Sequence, residues 1–292
     1  MLREAIFKDQ VIQEQFEKDG FVKISLLNKS EVDELAAMRE HYFPEKGSVF
    51  FSSSYLDDFD LKTEISDRIK ETIQSKIDKH FTNYRLVGAA YLIKGIGQHS
   101  EMPMHQDWTI VDESRFYAAN VWIPLTDTTE ENGTLELMKG SHRWNSALRA
   151  PTLPMSFDGL QYKILPELTV VEAKLGEVIV LNQATIHYSK PNMTDDIRPA
   201  ITSGLISGKA PLKFHYFDKG RNQIEEFYQN DDFLLRFENF MDAIHKRPLM
   251  GKSARFFDYS IPQMNEFELN THLGKSVRKE KTSFFQRIFG RS

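Results

Sequence analysis

Cysteine is missing from all 292 residues. That excludes disulfides and thiolate metal sites, and it suits a reducing, cytoplasmic setting. Also missing is any run approaching the roughly 18–20 apolar residues needed to cross a bilayer. The opening segment, MLREAIFKDQVIQEQFEKDG, has no apolar signal core. A soluble chain without a transmembrane segment is expected. Basic charge is not in excess: 37 Lys and Arg stand against 42 Asp and Glu, for a net charge of −5. Nucleic-acid binding calls for a basic face, so no nucleic-acid partner is expected. No internal repeat and no long linker divides the chain. One domain over residues 1–270 is expected, followed by a basic amphipathic tail over 271–292.

What is present is enough apolar material for a core, 40% of residues, with phenylalanine used 22 times. Packing accounts for most of that phenylalanine; an apolar substrate pocket is the sharper reading. Residues 9–19 have helical spacing closed by Gly20, and Phe21–Ile24 reads as a strand. Asn28-Lys29-Ser30 caps a helix to about His41. Residues 47–58 read as a loop. Ile65, Ile69, Ile73 and Ile77 fall four apart, which predicts a helix over 60–80.

From about residue 84 the texture changes to short β-rich runs: 85–93, 103–110, 115–125, 133–138, 167–172, 177–182, 185–189 and 198–207. Turn signals such as Glu131-Asn132-Gly133 and Leu175-Gly176 separate them. Many short strands at regular spacing make a sandwich or barrel. The expected fold is mainly β with flanking helices, a double-stranded β-helix of the jelly-roll, cupin-like kind. A return to helix is expected over 219–246, and the 45–60 loop and residues 208–220 are candidate substrate lids. Lys275–Arg291 carries six basic residues against Glu280 alone, with Phe284, Phe285, Ile288 and Phe289 interleaved. Such a segment is either a solvated end or a surface for a membrane or partner.

The chemistry concentrates at His105-Gln106-Asp107. Side chains alternate along a strand, so His105 and Asp107 point the same way. His187, in a later strand, can supply a third ligand, because a jelly roll makes neighbours of strands distant in sequence. Two histidines and one carboxylate on one side of a metal leave positions open for a cosubstrate and O2, a geometry suited to Fe(II). Arg198 opens the next strand, where its rigid fork can grip a carboxylate. Asn120 and Tyr91 are strand residues that either face the same cavity or serve the core. His142 is read as a brace for its loop. Lys46, Lys94, Arg115, Arg143 and Arg149 are read as solvated surface, with contact to an anionic substrate as the alternative.

These residues carry a resemblance. Phe16–Val22, His105-Gln106-Asp107-Trp108, Val121–Asp127, Glu131–Leu135, Gly140-Ser141-His142, His187-Tyr188-Ser189 and Arg198-Pro199-Ala200 resemble, in this order, the phytanoyl-CoA dioxygenase family of Fe(II)/2-oxoglutarate oxygenases. The resemblance implies His105, Asp107 and His187 as iron ligands and Arg198 as the anchor for the distal carboxylate of 2-oxoglutarate. It implies supporting roles for Ser189 and, close to the family's position, for Trp122. Fe(II), 2-oxoglutarate and O2 are the implied cofactor and cosubstrates. Some relatives are halogenases that replace the ligand carboxylate with a small residue. Asp107 is present here, so hydroxylation of a small organic, apolar or carrier-bound substrate is the expectation. Two other readings remain: a zinc hydrolase on the same ligands, and a non-catalytic jelly-roll scaffold with a vestigial site.

Overall fold

The computed structural model describes residues 3–45 and 47–275. Three helices come early: α1 (Gln10–Asp19), α2 (Lys29–Tyr42) and α3 (Phe59–His80). Local chemistry sets their ends. Asp9 caps α1 by accepting from Val11 and Ile12, and Gly20 closes it at φ 85° with its N–H donating to Phe16. Only glycine serves there, because a Cβ would lie 2.5 Å from both His142 Nδ1 and Thr185 Oγ1. Asn28 and Glu31 form a capping box on α2. Along α3, Ile65, Ile69, Ile73 and Ile77 are fully buried, as their spacing predicts.

The strands are β1 (Phe21–Ser25), β2 (Phe50–Ser52), β3 (Tyr84–Lys94), β4 (Met102–His105), β5 (Ala118–Pro124), β6 (Leu135–Leu137), β7 (Thr169–Val171), β8 (Glu177–Asn182), β9 (His187–Ser189), β10 (Arg198–Ser207), β11 (Leu212–Asp218), β12 (Gln223–Gln229) and β13 (Lys252–Phe257). A six-stranded sheet runs β1-β8-β5-β10-β3-β2, and a four-stranded sheet runs β4-β9-β6-β7. Every pairing is antiparallel and most neighbours are non-consecutive, which is jelly-roll connectivity. The alternation along β5 shows the layering. Val121 and Ile123 pack with the α3 isoleucines on one face, while Trp122 turns to the other and packs with Leu135, Leu137 and Leu181. The second face is the interior between the two sheets, where the site lies.

The expected helix over 219–246 does not form: one strand, β12, takes its first part, and turns and loop take most of the rest. β11 and β12 form a hairpin, and β13 pairs on the far side of β12. The run Gln223–Gln229 has helix formers in Glu225 and Glu226, but both are buried and held by cations across the sheet. Arg247 and Ser253 bond Glu225, while Lys213, His215 and Arg255 bond Glu226. Tertiary pairing overrides propensity here. Only one helical turn, α5 (Phe240–Ala243), remains of that helix. The 47–58 segment contains β2 and a 3-10 turn at Ser53–Tyr55. Two short helices, α4 (Gln161–Ile164) and α6 (Glu266–His272), cover the outer face of the small sheet through Ile164 and Leu269. Most of the expected amphipathic tail, residues 276–292, and Lys46 lie outside the described residues. No helix among the described residues is long and apolar enough to cross a membrane.

Candidate metal and cosubstrate site

His105 and His187 are direct cross-strand partners at the β4·β9 pairing, with ring centroids 4.1 Å apart. A bulge produces this arrangement. Between the pairs Met102↔Ser189 and His105↔His187, β4 advances three residues while β9 advances two. Strict alternation would place Met102 and His105 on opposite faces, yet both line the interior cavity. β4 stops at His105, so Asp107 stands just beyond the strand, its N–H donating to Gln183 O at 2.9 Å. Asp107 Oδ1 is 3.8 Å from His105 Nε2, and Oδ2 is 3.9 Å from His187 Nε2. One ligand atom from each of the three lies within 4.8 Å of the others. Ligand atoms about 2 Å from a common ion lie at most about 4 Å apart, so the cluster needs only small rotations to close on a metal.

Hydrogen bonds prepare these atoms for coordination. His105 Nδ1 faces Pro103 O at 2.7 Å, and His187 Nδ1 faces Thr185 O at 2.9 Å. A carbonyl only accepts, so each Nδ1 carries the proton and each Nε2 presents a lone pair. Burial, and then the facing His187, push the pKa of His105 down, which keeps its imidazole neutral. Asn120 Nδ2 donates to Asp107 Oδ2 at 2.7 Å, and Gln183 Nε2 donates to Asn120 Oδ1 at 3.2 Å. Arg149 donates through Nε to Asp107 O at 2.7 Å and pairs with Glu113. It is buried rather than solvated, and it anchors the loop that carries the carboxylate.

Arg198 opens β10 and is 2% exposed. Nη2 donates to Gly133 O at 3.0 Å and reaches Ser189 Oγ at 3.4 Å, and the guanidinium lies over the Trp122 ring, 5.2 Å from its centroid. Nε and Nη1 are sealed from water with no hydrogen-bond partner. Burial alone pushes its pKa down to about 9, which still leaves it charged at neutral pH. Lys94 sits opposite Arg198 in the β3·β10 register. The sequence reading leaves Lys94 on the solvated surface. Instead it is fully buried and gives its three protons to Ser100 O, Ser189 O and Lys190 O at 2.7, 3.2 and 2.7 Å. Burial, then Arg198, push its pKa down to about 7.

His105, Asp107, His187, Arg198, Ser189, Trp122 and Asn120 all line one cavity of about 350 Å³. Tyr91 does not. It packs among the residues facing the helices, and its hydroxyl donates to Leu35 O at 2.9 Å. Its neighbours Ala90 and Leu92 take the cavity face instead. Of the two candidate lids, Phe50, Ser52, Ser54 and Tyr55 line the cavity, and no residue of 208–220 does. That stretch is β11, whose Leu212 and Phe214 belong to a separate core. Leu234, Leu235 and Phe240 complete the rim, with Phe240 stacked on Trp108 at 6.0 Å and 10°. Sequence reasoning missed Gln183, Leu234, Leu235 and Phe240 and put Lys94 and Arg149 on the surface, since no spacing marks them.

The sequence profile described as phytanoyl-CoA dioxygenase (PhyH) matches residues 16–200. The chain belongs to the phytanoyl-CoA dioxygenase family. The PhyH match takes in α2, α3, the strands of both jelly-roll sheets up to the start of β10, and the cluster of His105, Asp107 and His187. The chain is 30% identical over 160 residues to the phytanoyl-CoA dioxygenase domain-containing protein 1 homolog of Dictyostelium discoideum, covering 52% of each. It is 27% identical over 124 residues to phytanoyl-CoA dioxygenase 1 of Oryza sativa subsp. japonica, covering 41% of this chain and 44% of the relative. The chain thus spans about half the length of the curated relatives it matches. The crystal structure of the non-heme alpha ketoglutarate dependent carbocyclase SnoK from nogalamycin biosynthesis superposes with a TM-score of 0.50. It is 18% identical and covers 70% of this PhyH-family chain and 86% of its own, a likeness of fold.

Proposed function

We propose that this protein is a non-haem Fe(II) enzyme that uses 2-oxoglutarate and O2 to hydroxylate a small organic substrate. His105, Asp107 and His187 hold the iron, and Arg198 grips the distal carboxylate of 2-oxoglutarate. The observation that carries this reading is the Arg198 guanidinium, buried in the same cavity as the ligand cluster with two nitrogens unpartnered. An unpaired buried cation is costly, so the fold keeps a place for an anion. The donor set fits ferrous iron as well: two neutral imidazoles and one carboxylate leave further positions open.

When bound, iron and 2-oxoglutarate would activate O2, so that one oxygen atom enters a substrate C–H bond and the other enters succinate, with CO2 released. The chain's own residues do the rest. Pro103 and Thr185 fix the two histidine tautomers, Asn120 orients Asp107, and Lys94 holds Ser189 and Lys190 beside Arg198. The 50–55 segment and Leu234, Leu235 and Phe240 wall the cavity from water. No protein nucleophile or general base is needed.

Succinate formation from 2-oxoglutarate, measured with Fe(II), tests this. His105→Ala and Asp107→Ala should abolish it. Arg198→Ala should weaken 2-oxoglutarate binding while the metal still binds. Full turnover by both ligand variants would remove the metal assignment, and activity with Zn2+ but not Fe(II) would turn the reading to a hydrolase.

A further inference from the structure

Next to the metal ligands stands an acceptor that the proposed reaction does not use. Gln183 lines the cavity just past β8 and is 4% exposed. Its amide orientation is forced. Asn120 donates to Asp107 through Nδ2 and so presents Oδ1, which only accepts, to Gln183. Gln183 must in turn donate through Nε2, which leaves its Oε1 facing away from the chain of bonds. That oxygen is sealed from water and has no hydrogen-bond partner. A buried, unmet carbonyl oxygen costs free energy and asks for a donor.

The charge of the wall restricts what can bring that donor. The only ionisable groups in it with a charge at neutral pH or a metal to hold are His105, Asp107, His187 and Arg198 among the described residues, and all four are committed to metal and cosubstrate. The remaining space is bounded by groups such as Trp108, Ile110, Leu181, Leu234 and Phe240. A carboxylate, phosphate or ammonium there would be buried without a counter-charge.

We infer that the site takes an uncharged, mostly apolar substrate carrying a hydroxyl or N–H donor, and that Gln183 Oε1 accepts from that donor and orients the molecule beside the metal. This deepens the oxygenase reading and rests on it only for the role of the cavity. Trp108 and Trp122 both lie in the cavity wall, so binding can be followed by tryptophan fluorescence without any metal. Three probes, each titrated in the presence of saturating 2-oxoglutarate so that Arg198 is not free to pair with a carboxylate, separate the possibilities: 4-phenylbutan-1-ol, its methyl ether, and 4-phenylbutanoate. Wild type should bind the alcohol about tenfold more tightly than the ether, and the carboxylate most weakly. Gln183→Leu should erase the difference between alcohol and ether while still binding the ether, a change in ratio that loss of structure alone would not produce. Should that variant fail to fold, the wild-type ranking still decides. Equal affinity for alcohol and ether, preference for the carboxylate, or no saturable quenching by the alcohol would each overturn the inference. Because these titrations use metal-free protein, failure of the iron assignment would leave their outcome intact.

Discussion

Two buried cations face each other across β3 and β10, and they differ in what they have already given away. Lys94 has spent all three of its protons on backbone carbonyls, while Arg198 has two nitrogens to offer. Lys94 therefore contributes charge and Arg198 contributes contact. Burial holds the Lys94 pKa near 7, below its usual value, so between about pH 7 and pH 10 the unfolded chain binds more protons than the folded one. Stability from this group rises with pH across that window. The positive charge beside Arg198 falls away over the same range. Affinity for 2-oxoglutarate should be highest below pH 7 and drop about fivefold by pH 8.5. Calorimetric titration of anaerobic Fe(II)-loaded protein at a series of pH values would show it, and Lys94→Met should flatten the profile. At this scale the sequence picked out His105, Asp107, His187 and Arg198, which the fold gathers on one cavity, because metal and carboxylate chemistry demand particular side chains at particular spacings. It left Tyr91 open between cavity and core because β3 is covered on both faces. Alternation there carries no apolar–polar contrast to say which side is the cavity.

Among the elements, the three-stranded sheet shows where reading failed and why. Ile224, Phe227 and the paired glutamates look helical when only local propensity is weighed. The turn at Gly220 and Asn222, with Asn222 at φ 55°, instead returns the chain as a hairpin. What stabilises β12 as a strand lies far along the sequence, in Lys213, Arg247 and Arg255, and spacing cannot reveal it. Glu226 is 4% exposed, and its hydrogen bonds, led by the one from His215, hold its pKa below the usual carboxylate range. Its contribution is present above that range and is lost only in strong acid. Glu226→Ala should cost about 3 kcal/mol, since it leaves buried His215 and half-buried Lys213 without their carboxylate. Urea unfolding monitored by circular dichroism would measure it, and a loss under 1 kcal/mol would mean the cluster is incidental. By contrast α3, β8 and β10 were legible almost to the residue: an isoleucine row marks α3, Val178-Ile179-Val180 marks β8, and Ile201, Thr202 and Ile206 mark β10.

The molecule as a whole folds around a site that is electrostatically unfinished: a triad able to take a dication and a guanidinium awaiting an anion. A ligand that binds only the native state adds about 2.7 kcal/mol at a hundredfold excess over its Kd. For a chain of this size, metal with 2-oxoglutarate should therefore raise Tm by about 5 °C or more. Arg198→Ala should keep the metal's share of that gain and lose the acid's, as differential scanning fluorimetry would record. The architecture also gives the metal a mechanical role. β4 lies at the margin of the small sheet, bonded to β9 alone through two register pairs split by a bulge. His105 belongs to one of these strands and His187 to the other, so an ion gripped by both would rivet this edge seam shut. Loading the catalyst and stiffening the mouth it works behind would then be a single event.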